Sequence, residues 1–362
     1  MKISFYGDIC LYKIDIKQFQ FCPSLIKLLK LSDINIGNLE CPITNVDTKE
    51  ENLVVNMSAP LSSLELINKF QIVSLANNHI RDFKIKGLRD TINALNSKNI
   101  KYFGVGKTQK QAIEPLKITK NGFKIAFLGA TRYANATKKN GGGTAKDSFL
   151  LIKKHIKRLK KEGYFIILYF HWGYEYVRIP SPRERKLAHK CIDVGADLIV
   201  GSHPHIYQGI EDYRGKKIVY SLGNFIFHSS IFTGLSLIPN DPRLNESYTF
   251  TIEILNDLSY KIEINGYKTE DTGITFYNET ENLKLINEIN KHSKIFTDNY
   301  WNYLKAYYSQ TYDISKRNIK VREDFQSFKK LSLKQKINIY KTANLQDLKN
   351  RLYALFITYK RK

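Results

Sequence analysis

In the stretch Leu198-Ile199-Val200-Gly201-Ser202-His203-Pro204-His205, three β-preferring apolar residues run into a glycine and then two imidazoles at i and i+2. An apolar run of this length closed by Gly suits a short buried strand. Pro204 stiffens a turn from which both rings can converge. The same pattern recurs upstream. Phe165 to Phe170 runs into His171-Trp172-Gly173-Tyr174-Glu175, and Ile72 to Ala76 into Asn77-Asn78-His79. Ile34 to Ile36 runs into Gly37-Asn38-Leu39-Glu40, and Phe5-Tyr6 into Gly7-Asp8. Five strands therefore deliver carboxylate, amide or imidazole at their carboxyl ends, where open α/β sheets place ligand sites. A buried Asp or His costs several kcal/mol unless it is paired or bound to a metal. Repeating that cost along one sheet edge predicts a common ligand.

Taken singly, each piece has a blander meaning. Gly7-Asp8 reads as a turn, a histidine after a strand as a satisfied core or surface residue, and Asn77-Asn78-His79 as a helix N-cap cluster with Asn78 as cap. The set in this order is what predicts a metal site. Imidazole, carboxylate and amide oxygen together suit Mn, Fe or Zn, and so many donors predict two divalent ions. Two metals roughly 3.5 to 4 Å apart can clamp the attacking and leaving oxygens of an in-line displacement at phosphorus.

The surrounding sequence has the texture of a mixed α/β protein. Helix-period segments occur at Lys86 to Ser97, Lys146 to Glu162 and Pro182 to Val194, and Ser62 to Glu65 reads as a capping box opening a helix over Leu64 to Phe70. Asn121-Gly122, Arg214-Gly215 and Asn265-Gly266 read as hairpin turns. These predict a mixed sheet, or two sheets packed face to face with helices outside. Beyond about residue 280 the pattern turns to Lys-, Asn- and Tyr-rich helices, Asn282 to Ala306 and Leu333 to Tyr359. Residues 1–275 thus read as one domain and 276–362 as a basic helical extension.

The 362 residues carry 57 Lys and Arg against 34 Asp and Glu, a formal charge of +23. Such a field favours anionic partners, namely a phosphoester or polymer substrate, or an anionic membrane met through the basic C-terminus. No specific nucleic-acid motif is present. No run nears the roughly 18 to 20 apolar residues of a membrane span, and the chain opens into Lys2-Ile3-Ser4-Phe5-Tyr6 without a leader pattern. The expectation is a cytoplasmic protein, peripheral at most to the inner membrane face. Four cysteines without C-x-x-C spacing fit a reducing compartment.

Gly7-Asp8, Asn38-Leu39-Glu40, Leu75 to His79, His171 to Glu175, Gly201 to His205 and Tyr220 to Phe225 together resemble the CapA family, named for bacterial poly-γ-glutamate capsule synthesis and related to calcineurin-like metallophosphoesterases. The resemblance covers roughly residues 1 to 255. It implies a four-layer α/β/β/α sandwich and a dinuclear site. By position it implies metal-ligand roles for Asp8, Asn38, Glu40, Asn78, His171, His203 and His205, with His79 in the place of the histidine that protonates the leaving group or stabilises the transition state. Glu175 and Asn224 are implied as residues behind the ligands. Asn38 stands where the wider superfamily has a bridging aspartate, and Glu40 is the carboxylate that can replace it. Asp8-Ile9-Cys10 departs from the superfamily's D-x-H, so Cys10 is either a thiolate ligand or a core residue. The expected function is a phosphoesterase-type hydrolase in capsule or cell-envelope polymer synthesis. The alternative is a non-catalytic protein that binds or assembles an anionic polymer.

Overall fold

The computed structural model describes residues 1–50, 56–137, 139–229, 231 and 241–324, with the backbone alone for 313–324. Two sheets lie face to face. The first contains β1 (Lys2–Ile9), β2 (Gln20–Phe21), β3 (Ile34–Leu39), β4 (Ile72–Ser74), β5 (Lys101–Phe103), β14 (Asn224–Ile226), β15 (Glu246–Ile254), β16 (Tyr260–Glu270) and β17 (Gly273–Phe276). Its order is β2-β17-β16-β15-β1-β3-β4-β5, with β14 also pairing with β1. The second sheet has β7 (Leu116–Lys120), β8 (Phe123–Thr131), β10 (Phe165–His171), β11 (Leu198–Ser202), β12 (Ile210–Tyr213) and β13 (Lys216–Val219), in the order β12-β13-β11-β10-β8-β7. A two-stranded ribbon pairs β6 (Val105–Gly106) with β9 (Gly143–Thr144).

The layering follows from residue alternation. In β10 every residue is buried, as expected of a central parallel strand covered on both faces. Phe165, Ile167 and Tyr169 face the core between the sheets, where they join Ile3, Phe5 and Ile36 of the first sheet. Ile166, Leu168 and Phe170 face outward and pack under α4 (Phe149–Lys161) and α5 (Pro182–Asp193). On the far side α1 (Pro23–Leu31) and α2 (Lys84–Ser97) cover the first sheet through Leu25, Leu29, Leu88 and Leu95. Each fully buried Ile, Leu or Phe contributes roughly 1.5 to 3 kcal/mol. The result is the four-layer α/β/β/α sandwich. A short α3 (Gln109–Ala112) lies beside the ribbon.

Two of the three expected turns form as read. Asn121 and Gly122 join β7 to β8 at φ +51° and +79°, and Arg214 and Gly215 join β12 to β13 at +54° and +72°, the left-handed pairs a two-residue hairpin needs. Asn265-Gly266 does not form a turn. It lies inside β16, opposite Thr249 and Tyr248, because α6 (Glu279–Ser293) presses on the strand there. A Cβ on Gly266 would meet Leu285 Cδ2 at 2.3 Å, so the glycine serves close packing. The turn falls at Asp257 to Ser259 instead, with Leu258 at φ +64°.

The Ser62 to Glu65 capping box is also absent. The segment is a 3₁₀ helix, Leu61–Ile67, begun by Pro60, and Glu65 turns out to Lys98 Nζ at 2.6 Å. A true capping box opens α5, where Ser181 and Glu184 bond reciprocally. The helix expected over Asn282 to Ala306 is broken: α6 ends at Ser293, and α7 (Tyr300–Asp324) starts anew. Asn299 Oδ1 takes the Asn302 N–H at 2.9 Å, and Phe296 drops into the core against Tyr220 between them. Tyr303, on the first turn of α7, is buried and donates to Pro180 O at 2.6 Å. The helix expected over Leu333 to Tyr359, with the basic tail, lies outside the described residues. Among the described residues no helix is long and apolar enough to cross a membrane.

Candidate metal centre

Every strand end singled out by sequence arrives at one place. β1 and β3 run parallel, and their register shifts between Phe5 and Asp8. Irregularities of this kind re-aim a side chain near a site. The re-aimed Asp8 accepts from Asn38 Nδ2 at 2.8 Å through Oδ1, and from the His203 backbone N–H at 3.0 Å through Oδ2. This second bond crosses from one sheet to the other. Within the first sheet, Gly7 lets β1 lie close against the chain entering β14, since a Cβ there would meet Gly223 O at 1.9 Å.

His171 continues the inward face of β10. Its Nε2 lies 2.7 Å from Asn78 Oδ1, and its Nδ1 lies 3.1 Å from Ser202 Oγ and 3.9 Å from Asp8 Oδ1. His203 and His205 follow β11 at φ +100° and +60°, conformations that cost free energy and persist where surrounding structure enforces them. His205 Nδ1 lies 2.9 Å from Asn224 Oδ1, and its Nε2 lies 3.8 Å from Glu40 Oε1. Asn224 is fixed in turn by donating to Leu244 O at 3.1 Å. Asn38 has both amide atoms engaged, Nδ2 on Asp8 and Oδ1 on Asn77.

Glu40 is different. It is fully buried, and neither carboxylate oxygen has a hydrogen-bond partner. His203 Nδ1 is likewise buried and unpartnered. An orphaned buried carboxylate is costly by itself. Two overlapping groups share it, Glu40 with His203 and His205, and Glu40 with Asp8 and His171. In each group the ligand atoms all lie within 4.8 Å of one another.

The electrostatics of the cluster suit a divalent cation. Burial, then the neighbouring Asp8 charge, pushes the Glu40 carboxyl well above its ordinary range. Burial also raises Asp8, against the opposing pull of His205. Burial and the other imidazoles hold His171 and His203 well below the usual histidine range. Neutral imidazoles beside crowded carboxylates are the donor state a divalent ion requires. The residues present therefore fit such an ion.

His79 lies beside this cluster, half-buried, with Nδ1 on Asp82 Oδ2 at 2.9 Å. Glu175 is close enough to His79 for the histidine's charge to oppose the upward push of burial on its carboxyl. Capping of the His79 turn falls to Asn77 rather than Asn78: its Oδ1 takes the N–H groups of His79 and Ile80 at 3.1 and 2.8 Å. Asn78 is thereby freed to reach His171. Cys10 is buried in the outer core of the first sheet, its thiol 3.6 Å from Met57 Sδ.

Three participants were not read from sequence. Asp82 carries a detectable signal, three residues after His79 on the same turn. Tyr133 and Arg132 follow the carboxyl end of β8, the neighbour of β10. Tyr133 OH lies 2.9 Å from His203 Nε2, and the Arg132 guanidinium sits 5.1 Å from the Tyr174 ring centre.

A four-layer sandwich whose strand ends gather overlapping carboxylate–imidazole groups defines an α/β/β/α protein with a candidate metal site. Within that class, the chain belongs to the bacterial capsule synthesis protein PGA_cap family, whose model matches residues 2–229. It is 36% identical over 211 residues to the capsule biosynthesis protein CapA of Bacillus anthracis, covering 55% of this chain and 51% of that protein. It is 32% identical over 240 residues to the PGA biosynthesis protein CapA of Bacillus subtilis (strain 168), covering 63% of each. A probable polyglutamine synthesis accessory protein of Mycobacterium tuberculosis is 28% identical over 169 residues, covering 43% of this chain and 44% of that protein. The matches thus span between about half and three-fifths of the two CapA relatives.

Proposed function

We propose that this chain is a metal-dependent hydrolase of the phosphoester type that acts in the synthesis of an anionic capsule or envelope polymer. The observation that carries the reading is Glu40, a buried carboxylate with two unpartnered oxygens shared between two histidine-containing groups. Asp8, Glu40, His171, His203 and His205 would hold the ions, with the Asn78 amide oxygen beside His171. When bound, Mn, Fe or Zn ions there would supply Lewis acidity toward phosphoryl oxygens.

The other steps belong to side chains of this chain. Asp82, which can only accept when ionised, receives the hydrogen bond from His79 Nδ1–H, which leaves Nε2 as the nitrogen that exchanges a proton with the leaving group. Asn38 and Asn77 lock the Asp8 carboxylate in place. Arg132 has no carboxylate within ion-pair distance among the described residues, and it borders the site through its backbone N–H on His171 O at 3.4 Å. Its charge is available to an anionic substrate. The capsule role rests on the likeness to the two CapA proteins.

Metal analysis of protein purified without chelator, followed by a phosphatase and phosphodiesterase screen with added Mn, tests this reading. Bound metal with turnover that chelator abolishes supports the hydrolase. Bound metal without turnover on any phosphoester, together with binding of an anionic polymer, supports the non-catalytic alternative.

A further inference from the structure

Tyr133, just past the carboxyl end of β8, contacts one ring nitrogen of a cluster histidine. Its hydroxyl lies 2.9 Å from His203 Nε2, and the two rings sit 4.9 Å apart at 60°. The opposite ring nitrogen, Nδ1, is buried and unpartnered. The backbone that carries the ring is pinned: His203 is held at φ +100°, with its N–H on Asp8 Oδ2. The position of Tyr133 is itself fixed, because its N–H donates to Thr131 Oγ1 at 3.2 Å and the preceding N–H, that of Arg132, donates to His171 O.

A neutral imidazole carries one proton, and the nitrogen that holds it is set by the partner of the other. The phenol oxygen can accept from Nε2–H or donate to a bare Nε2. Donation would leave the proton on Nδ1, pointing into a buried space where it has no acceptor. That arrangement strands a buried donor. Acceptance places the proton on Nε2 and leaves the buried Nδ1 with a free lone pair.

We propose that Tyr133 is a positioning residue that fixes the His203 tautomer, keeping the proton on Nε2 so that Nδ1 is the nitrogen offered to an ion. The importance of Nδ1 as a ligand rests on the metal-site reading, whereas the tautomer assignment does not. The phenol keeps its own O–H proton in this arrangement.

The test uses full-length, ¹⁵N-histidine-labelled protein stripped with chelator, with His203 signals assigned by loss in His203→Gln. Long-range ¹H–¹⁵N correlation reports which ring nitrogen is protonated. The wild type is expected to show the Nε2–H form alone, and Tyr133→Phe a mixture of both forms with an unchanged melting temperature. Mn or Zn titration by calorimetry is expected to show about 10- to 100-fold weaker binding in Tyr133→Phe, the usual loss when the outer partner of a ligand histidine is removed. A merely structural tyrosine would move neither the tautomer nor the affinity at constant stability. An Nδ1–H form in the wild type overturns the proposal, as does an unchanged tautomer in Tyr133→Phe. The expected tautomer change without metal binding in either protein upholds the role of Tyr133 and overturns the metal-site reading.

Discussion

His79 Nδ1 stands 2.9 Å from Asp82 Oδ2, and the same oxygen accepts the Met57 backbone N–H at 2.9 Å. The carboxylate is thus fixed from one side and orients the imidazole from the other. The pair lies beside the carboxylate–histidine cluster and supplies none of its ligand atoms. This separation divides proton transfer from ion binding.

If His79 transfers the proton, His79→Ala lowers turnover roughly 100- to 10,000-fold, the usual worth of a general acid. Metal content stays at the wild-type level. His203→Ala lowers metal content and turnover together. Elemental analysis alongside steady-state rates checks both, and equal metal loss in the two variants contradicts the division. Asp82→Asn is expected to behave as a milder His79→Ala, with metal retained and the imidazole misoriented.

Arg132 tests the anionic substrate. Losing a charge-assisted contact costs about 1.5 to 3 kcal/mol, so Arg132→Ala lowers kcat/KM roughly 10- to 100-fold on a phosphoester while metal affinity is kept. Arg132→Lys recovers part of the loss. Equal kcat/KM in wild type and Arg132→Ala removes the residue from substrate recognition.

Glu211 ties α5 to the second sheet. It accepts from Arg185 Nη2 at 2.7 Å and from Tyr220 OH at 2.6 Å, and Arg185 also reaches Phe296 O at 2.8 Å. Burial pushes its carboxyl up, but His189, Arg185 and Tyr220 together outweigh this and hold it below its ordinary value of 4.5. A depressed folded-state pKa stabilises above the unfolded value and is lost as pH falls through the folded one. Glu211→Gln therefore costs about 1.5 to 3 kcal/mol at neutral pH, and the gap narrows below pH 4.5. Denaturant midpoints at several pH values check it; a gap that widens toward acid contradicts the sign.

Gly7 tests the junction of β1 and β14. Its Cβ would fall 1.9 Å from Gly223 O, a backbone atom that cannot move without shifting the strand. Gly7→Ala is expected to destabilise by about 3 kcal/mol, the upper end of overpacking, or to prevent folding. A wild-type melting temperature contradicts the observed approach.

The strand ends were legible in sequence because apolar run and polar terminus adjoin in the chain, as at Phe170-His171 and Val200 to His203. The hairpin at Asn121-Gly122 was legible because its dihedrals are local. Asn265-Gly266 has the same grammar, yet Leu285 of a helix formed later in the chain decides its conformation, which no local window contains. Asn77 and Asn78 are chemically identical neighbours, and only the direction to His171 tells cap from reaching residue. Tyr133 escaped because β8 sits beside β10 only after the sheet forms.

The central claim is that Glu40 anchors a metal centre, and titration of Mn into chelator-stripped wild type and Glu40→Gln tests it most directly. Gln keeps the volume and removes the charge. The account predicts saturable binding to the wild type and at least about 100-fold weaker binding to the variant, above the loss typical of an outer partner, with both proteins equally folded. Equal Mn affinity in the two proteins, or none in the wild type, would contradict it.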